Sequence, residues 1–590
     1  MTLATPSFVI LGIGFLAPLV LLFLLSWRQS VPGSGLILDQ WTTANYTRLL
    51  FDAYYFKIFW RTFTIALYAT LLSLALGYPI AMAIARSKGR AKVFLLAVVL
   101  TPLLTNVVAR TLGLMILLGR HGPINNLLVQ LGLPRLTLVP GVPGIVIGLT
   151  QVFMPFLILS VSSVLENIDP ALVEAARSLG CTRFGAFRRV VLPLSVPGIV
   201  GGSLFVFLLS FSAFVTPQLL GGGMVVVMTT LIRQQAMVLL NWPFASAVAI
   251  VLLLVSIVLV GTYTRALGGA ERRESTRVAA SGKISSWGRA VQGLRSASYD
   301  LAASLGRAWA RFARYLRPMG QALGRLRFMV RAGGWGGKAL IIAFILAPLP
   351  IVIVSSFSGS SLIMFPPRGG FSVRWYVGLL SRPEYIRSFF ISLQIAALSV
   401  LIGVSTGTLA ALALVRYRFP GREVLRTLFL SPLMLPAVLV GLALLRLLAM
   451  MGWTATFRGV LIGHLVLVTA YVIRTVSASL VGFDHSLEEA SRNLGAGVFR
   501  TFRRVTFPLI KPGLIVASIF AFLVSFDETT VSVFITGPGT ITLPVRLFSQ
   551  LEYGLDPTVT AISSILVVIA LLALLVADRL LGLEKFSTMR

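Results

Sequence analysis

Acidic side chains are scarce here, 19 Asp and Glu against 51 Lys and Arg in 590 residues, so those inside apolar stretches are where chemistry is sought first. Asp527 and Glu528 interrupt the run FAFLVSFDETTVSVF. A charge at mid-bilayer costs on the order of 2.5–3.5 kcal/mol, and such groups face a cavity or a partner. An acidic pair facing a cavity suits a cationic substrate. Neighbouring helix positions point about 100° apart, so one of the two lines such a path. The competing reading is a structural pair satisfied by Arg446 or Arg474. Gln151 is a weaker polar candidate for the path. Little here suggests catalysis. The three histidines, His121, His464 and His485, lie far apart in sequence, and His464 reads as a hydrogen-bonded packing residue. AGGWGGKA resembles a phosphate loop, but Ala332 replaces its first Gly and Ala339 the Ser or Thr that would hold magnesium. Cys181 is the only cysteine, which excludes an internal disulfide.

The elements that must position these residues are membrane helices. Hydrophobic residues make up 57% of the chain and charged residues 12%, with a mean hydropathy of +0.91. A span needs roughly 20 apolar residues, so this balance predicts many of them. Six fall near 8–27, 62–85, 92–118, 143–165, 194–219 and 244–263. Six more fall near 338–357, 390–415, 424–451, 459–481, 509–533 and 558–580. The first lacks a basic start and a small-residue cleavage site, and reads as an uncleaved span. The expected fold is an all-α integral membrane protein with twelve transmembrane helices in two homologous six-helix halves. The domains are then 1–264 and 338–590, joined by a basic linker at 265–337.

Basic loops orient the chain. Arg86, Lys88, Arg90 and Lys92 follow the second span, and Arg416, Arg418 and Arg422 match them in the second half. Arg177, Arg183, Arg188 and Arg189 follow the fourth span, with Arg492, Arg500, Arg503 and Arg504 as counterparts. The positive-inside rule places these loops, both termini and the linker in the cytoplasm, although Arg28, Arg48 and Lys57 run against it. The linker has fifteen Lys or Arg between Arg265 and Lys338 against three acidic residues. Trp287, Val291, Leu294, Leu301, Leu305, Trp309, Phe312 and Leu316 recur there at helical spacing, which suits a basic amphipathic helix on an anionic membrane surface or a solvated linker, ahead of nucleic-acid binding.

The halves repeat. ENIDPALVEAARSLGCTRFGAFRRVVLPLSVPG (166–198) aligns without a gap to VGFDHSLEEASRNLGAGVFRTFRRVTFPLIKPG (481–513), at an offset of 315. Asp169 pairs with Asp484, Glu174 with Glu489, Gly180 with Gly495 and Pro193 with Pro508. Around the second span the offset is about 330, pairing Arg86 with Arg416. Ser210 and Ser212 stand where the second half has the acidic region, so an anionic site would be one-sided. In each loop a short helix offers small residues for close approach of a partner. Gly180 and Gly495 break those helices, and prolines are expected to close the loop before the fifth span.

These loops resemble the cytoplasmic signature of ATP-binding-cassette importer permeases: Glu-Ala-Ala, three residues, Gly, nine residues, an aliphatic, one residue, Leu-Pro. The first half fits at Glu174, Ala175, Ala176, Gly180, Val190, Leu192 and Pro193. The second fits at Glu489, Ala490, Gly495, Val505 and Pro508, with Ser491 for the second Ala and Phe507 for Leu. The stretches 214–256 and 525–568 resemble the first and second permeases of spermidine/putrescine-type importers, here fused in one chain. The resemblance implies that these loops dock two separate ATPase subunits, which carry ATP and magnesium, while this chain binds no cofactor. It implies a bacterial inner-membrane location and a periplasmic binding protein that delivers a polyamine or related cation. An opine or amino-acid derivative, thiamine or ferric iron is the alternative cargo. A secondary transporter with six plus six spans fits the topology equally well but gives no reason for the repeated loops; a membrane-embedded enzyme fits less.

Overall fold

A chain this apolar folds as helices because, inside a bilayer, backbone N–H and C=O groups must be satisfied within the segment itself. The computed structural model describes residues 2–31, 33–276, 327–367, 369–433, 435–554 and 556–581. The amphipathic pattern expected over 287–316 lies outside the described residues. Among the described residues, eight helices are long and apolar enough to cross a membrane, or eleven if three bent helix pairs each count once; Thr558–Leu572 is a shorter apolar helix. Beyond the helices, a two-stranded antiparallel hairpin pairs Arg28–Ser30 with Ile37–Trp41.

Two expected spans are bent sharply. Gly89–Leu104 and Val107–Gln130 meet at 101°, and Arg422–Leu433 and Ala437–Met450 at 102°. Hydropathy runs straight across both bends, whereas the backbone does not. At the first, Thr105 and Asn106 leave the helical region, and Asn106 Oδ1 accepts from the Val108 and Ala109 N–H groups, starting a new helix inside the apolar run. At the second, the new helix follows Pro436, whose ψ is 124°.

The fifth spans depart differently from expectation. The prolines do not close the repeated loop: each fifth-span helix begins inside it, as Arg183–Phe211 and Val498–Asp527. A π turn precedes the prolines in both halves, at Phe187–Val191 and at Phe502–Thr506. Such a turn shifts bonding from the i−4 to the i−5 carbonyl, which absorbs the donor that Pro193 or Pro508 lacks. The helix therefore passes through. The first half's fifth span also ends early, at Phe211, and a separate short helix follows at Val215–Gly221.

By their contacts, Met1–Leu259 and Phe344–Arg590 form one compact unit and Val260–Ala343 another. Within the first unit each half sends its opening helix across to the other. Thr5–Ser26 packs on the second half, where Ser7 Oγ donates to the Thr406 carbonyl at 2.9 Å. A Cβ on Gly14 would come within 2.8 Å of Val466. Reciprocally, Pro348–Ser355 packs on Val107–Leu118, so closely that a Cβ on Gly113 would lie 2.4 Å from the Pro348 carbonyl oxygen. Gln151 Nε2 donates to the Ile345 carbonyl at 2.8 Å. The two halves are thus interlocked.

Candidate functional site

The repeated loops fold alike. Asp169 caps the helix Pro170–Ser178 by accepting from the Ala171 N–H at 2.9 Å. Asp484 accepts from the Ser486 N–H at the head of Ser486–Asn493, also at 2.9 Å, which holds this exposed carboxyl below its ordinary pKa. Each helix ends in paired reverse bonds. The Cys181 N–H reaches the Ala176 carbonyl and the Gly180 N–H that of Arg177, both at 3.0 Å. In the second half Ala496 reaches Ser491 at 3.1 Å and Gly495 reaches Arg492 at 2.9 Å. This termination needs a left-handed residue after the last turn. Gly180 and Gly495 supply it, with φ of +83° and +82°.

What the loops present is chemically distinctive. Glu174, Ala175, Glu489, Ala490 and both glycines are exposed, and Ala176 and Ser491 half-buried. Leu179 and Leu494, at matching positions beside the glycines, project with 86% and 89% of their surface open. Leu172, Phe184, Leu487 and Phe499 are exposed nearby. Apolar side chains around small residues and one acid form a surface suited to a protein partner.

The second candidate site lies on the seam between the halves. Asp527 ends the fifth-span helix of the second half, and Oδ1 accepts from the side chain of Asn106 and, at 3.3 Å, from the Val107 N–H of the first half. Buried Arg110, one turn beyond Asn106, is within electrostatic reach of Asp527, although its Nε and Nη1 have no hydrogen-bond partner. Asp527 and Glu528 have different environments. Glu528 Oε1 accepts from the Val531 N–H at 2.7 Å and so serves its own chain reversal. Neither acid forms an ion pair with Arg446 or Arg474 among the described residues. Gln151 is wholly buried, and its side-chain amide donates to the Ile345 carbonyl rather than to either acid. His464 is buried between Ser525 Oγ (2.8 Å from Nδ1) and Ser532 Oγ (3.0 Å from Nε2), the packing role expected of it.

Sequence reasoning missed the first-half side of this seam. Asn106 was legible as a capping residue within LTNVVAR, but its bond to Asp527 depends on chain crossing. It also missed Glu552, which accepts from Gln218 at 2.9 Å and pairs with Arg233, both from the first half.

The family model described as binding-protein-dependent transport system inner membrane component matches residues 73–268 and again 399–583. The chain belongs to that family. This permease is 35% identical over 227 residues to the spermidine/putrescine transport system permease protein PotB of Haemophilus influenzae, covering 38% of the chain and 79% of the relative. It is 31% identical over 250 residues to the spermidine/putrescine permease protein PotC of Escherichia coli strain K12, covering 42% and 94%. The putrescine permease protein PotI of the same organism is 35% identical over 231 residues, covering 38% and 81%. Each relative is spanned largely by less than half of this chain, so the permease holds two such domains fused in one polypeptide. A solved bacterial ABC transporter that imports alginate aligns at 19% identity and a TM-score of 0.37, over 44% of this chain and 91% of that one.

Proposed function

We propose that this fused permease imports a polyamine or related small organic cation across the bacterial inner membrane, loaded by a periplasmic binding protein and driven by two ATP-binding-cassette ATPase subunits. The observation that carries the reading is the matched geometry of the two loops. Each presents a capped helix, small exposed residues, a left-handed glycine and a projecting leucine. One ATPase docks on Glu174, Ala175, Ala176 and Gly180, the other on Glu489, Ala490, Ser491 and Gly495. ATP and magnesium sit on those partners, and this chain contributes no cofactor. Both loops lie in the cytoplasm with the termini, because the basic residues cluster there. The outer arginines that run against this orientation have local partners: Arg28 pairs with Asp39, and Arg48 donates to Tyr55 Oη at 2.8 Å.

ATP-driven approach of the two ATPases draws the loops together and parts the halves on the outer side. The fifth-span helix of each half starts within its docking loop, so the movement passes directly into the seam. Asp527 is then the carboxylate that meets the cargo's ammonium group, exchanging it for Asn106 and Val107. Relatives described as spermidine/putrescine permeases favour this cargo.

The decisive test is uptake of labelled spermidine and putrescine by cells expressing this chain with its ATPase and binding protein, with and without Asp527→Asn. ATP-dependent uptake that collapses in the variant supports both cargo and path. An active ATPase with no uptake of either amine overturns the cargo and leaves the importer architecture.

A further inference from the structure

The two docking loops match in backbone but not in how they are fastened. In the second half, Glu488 sits on the docking helix Ser486–Asn493 and is 2% exposed. Its Oε1 accepts from Thr506 Oγ1 at 2.6 Å, at the end of the π turn that opens the fifth span. Its Oε2 lies 3.0 Å from Nε of Arg416, the last residue of the second-span helix, and 3.4 Å from His485 Nε2. The Arg416 guanidinium also lies 4.5 Å from the centre of the Phe483 ring. A second polar tie lies one turn along, where Ser491 Oγ meets Thr501 Oγ1 at 3.2 Å.

At the offset of 315 the first half replaces both hydrogen-bonding partners in each tie. Val173 and Val191 stand for Glu488 and Thr506, and Ala176 and Ala186 for Ser491 and Thr501. None of these side chains can hydrogen bond. Arg86 matches Arg416 but forms no ion pair among the described residues. The first half's cytoplasmic ion pair, Lys92 with Glu166 at 3.0 Å, starts from the ends of other helices, and Arg189 Nη1 makes only a long contact of 3.8 Å to Cys181 Sγ. The exchange is concerted: both partners of each hydrogen-bonded pair, Glu488 with Thr506 and Ser491 with Thr501, are polar in one half and apolar in the other.

We infer that Glu488 is a positioning residue that clamps the second docking helix to the roots of the second and fifth spans, making the second loop the stiff transmitter of ATPase movement and the first the compliant one. A buried carboxylate hydrogen-bonded through Oε1 and ion-paired through Oε2 favours one geometry, because displacement leaves a charge unpaired. Apolar contacts such as Val173 against its surroundings lack direction and permit sliding. The functional part of this inference rests on the docking reading above; the clamp itself does not.

The test uses the full chain in lipid nanodiscs with Cys181→Ser and one spin label, at Leu179→Cys or Leu494→Cys. The label at 494 is expected to be the more restricted. Glu488→Gln, and separately Glu488→Val with Arg416→Met, should free it to the level at 179 while leaving 179 unchanged. The apolar pair serves where the single variant folds poorly. Val173→Glu, which places a carboxylate at the position matching Glu488, should restrict the label at 179. Equal mobility at the two sites, or no change at 494 in either Glu488 variant, overturns the clamp. With ATPase subunits reconstituted, the Glu488 variants should keep them bound and hydrolysing ATP but move less spermidine or putrescine per ATP. Unchanged transport per ATP overturns the transmitter role, whereas ATPases that fail to bind the unmodified chain overturn the docking reading and leave the labels to decide the clamp.

Discussion

Glu552 of the second half is held by Arg233 of the first, an ion pair across the seam with 11% and 15% of the respective side chains exposed. Gln218 donates to the same carboxylate oxygen, and the guanidinium lies 5.8 Å from the Phe214 ring centre and 5.9 Å from that of Phe548. Removing one partner of a buried pair strands the other. Glu552→Gln should therefore destabilise the interlocked halves by roughly 2–3 kcal/mol, at or below the range for breaking a buried pair. A double-mutant cycle with Arg233→Met, read by thermal unfolding in detergent, should show a combined loss smaller than the sum. Additive losses would mean that the two residues act separately.

Gly180 and Gly495 yield a prediction about backbone rather than bulk. A Cβ on Gly180 or Gly495 meets nothing within 4 Å, but φ near +80° disfavours a β-branched residue by about 1–3 kcal/mol. Gly180→Val with Gly495→Val should uncouple ATP hydrolysis from uptake, whereas asparagine, which tolerates left-handed backbone, should retain more coupling. Equal effects of Val and Asn, measured as cargo per ATP, would refute the conformational explanation.

Asp527 and Glu528 should part company on mutation. The Glu528 oxygen that accepts the Val531 N–H can be supplied by an amide, so Glu528→Gln should keep most uptake. Asp527→Asn keeps an acceptor for the first half but loses the charge proposed to meet a cation, and uptake should fall sharply. Loss of uptake in both, with normal membrane levels, would place Glu528 on the path as well.

Crossing of the opening helices predicts sensitivity at one glycine and tolerance at another. Gly113→Ala sets a methyl against the Pro348 backbone and should cost about 1–3 kcal/mol. Gly378 lies in the helix Arg374–Leu380 with no atom within 4 Å of a Cβ, so Gly378→Ala should be neutral or stabilising by up to about 1 kcal/mol. Folded yield and thermal midpoint decide between these outcomes.

One loop carboxylate predicts an acid dependence. Burial opposes ionisation of Asp556, yet the Thr558 N–H and the Arg382 guanidinium outweigh it and hold the carboxyl below its ordinary value of 3.8. A depressed acid contributes stability above the unfolded value, and that contribution is lost as pH falls through the folded one. Asp556→Asn should lower stability at neutral pH and flatten the acid limb below the ordinary carboxylate range. An unchanged acid limb would show that this pair contributes nothing to it.

The helical class, the duplicated halves and the shared backbone of the two repeated loops were legible in the residues, because each is a local signal. Apolar runs of span length, a gapless repeat and a glycine after a short helix leave marks in consecutive residues. The sharp bend at Asn106 was half legible: an Asn within an apolar run is a cap signal, but hydropathy alone reads straight across it. Passage of the fifth-span helices through Pro193 and Pro508 was not, since the π turns that absorb the missing donors leave no mark in composition.

Amino-acid order by itself determined which segments are apolar, where charges cluster and which positions repeat, since these depend only on neighbours along the chain. Tertiary structure alone decided what those charges meet. Asp527 meets Asn106, Glu552 meets Arg233 and Gln151 meets Ile345 because helices of the two halves pack against one another, bringing together residues 194 to 421 positions apart. The same folding step separates two loops that look equivalent in sequence, since only the packed helices bring Thr506 and Arg416 against Glu488. Partners that distant are set by the packing of whole helices, which no local pattern encodes.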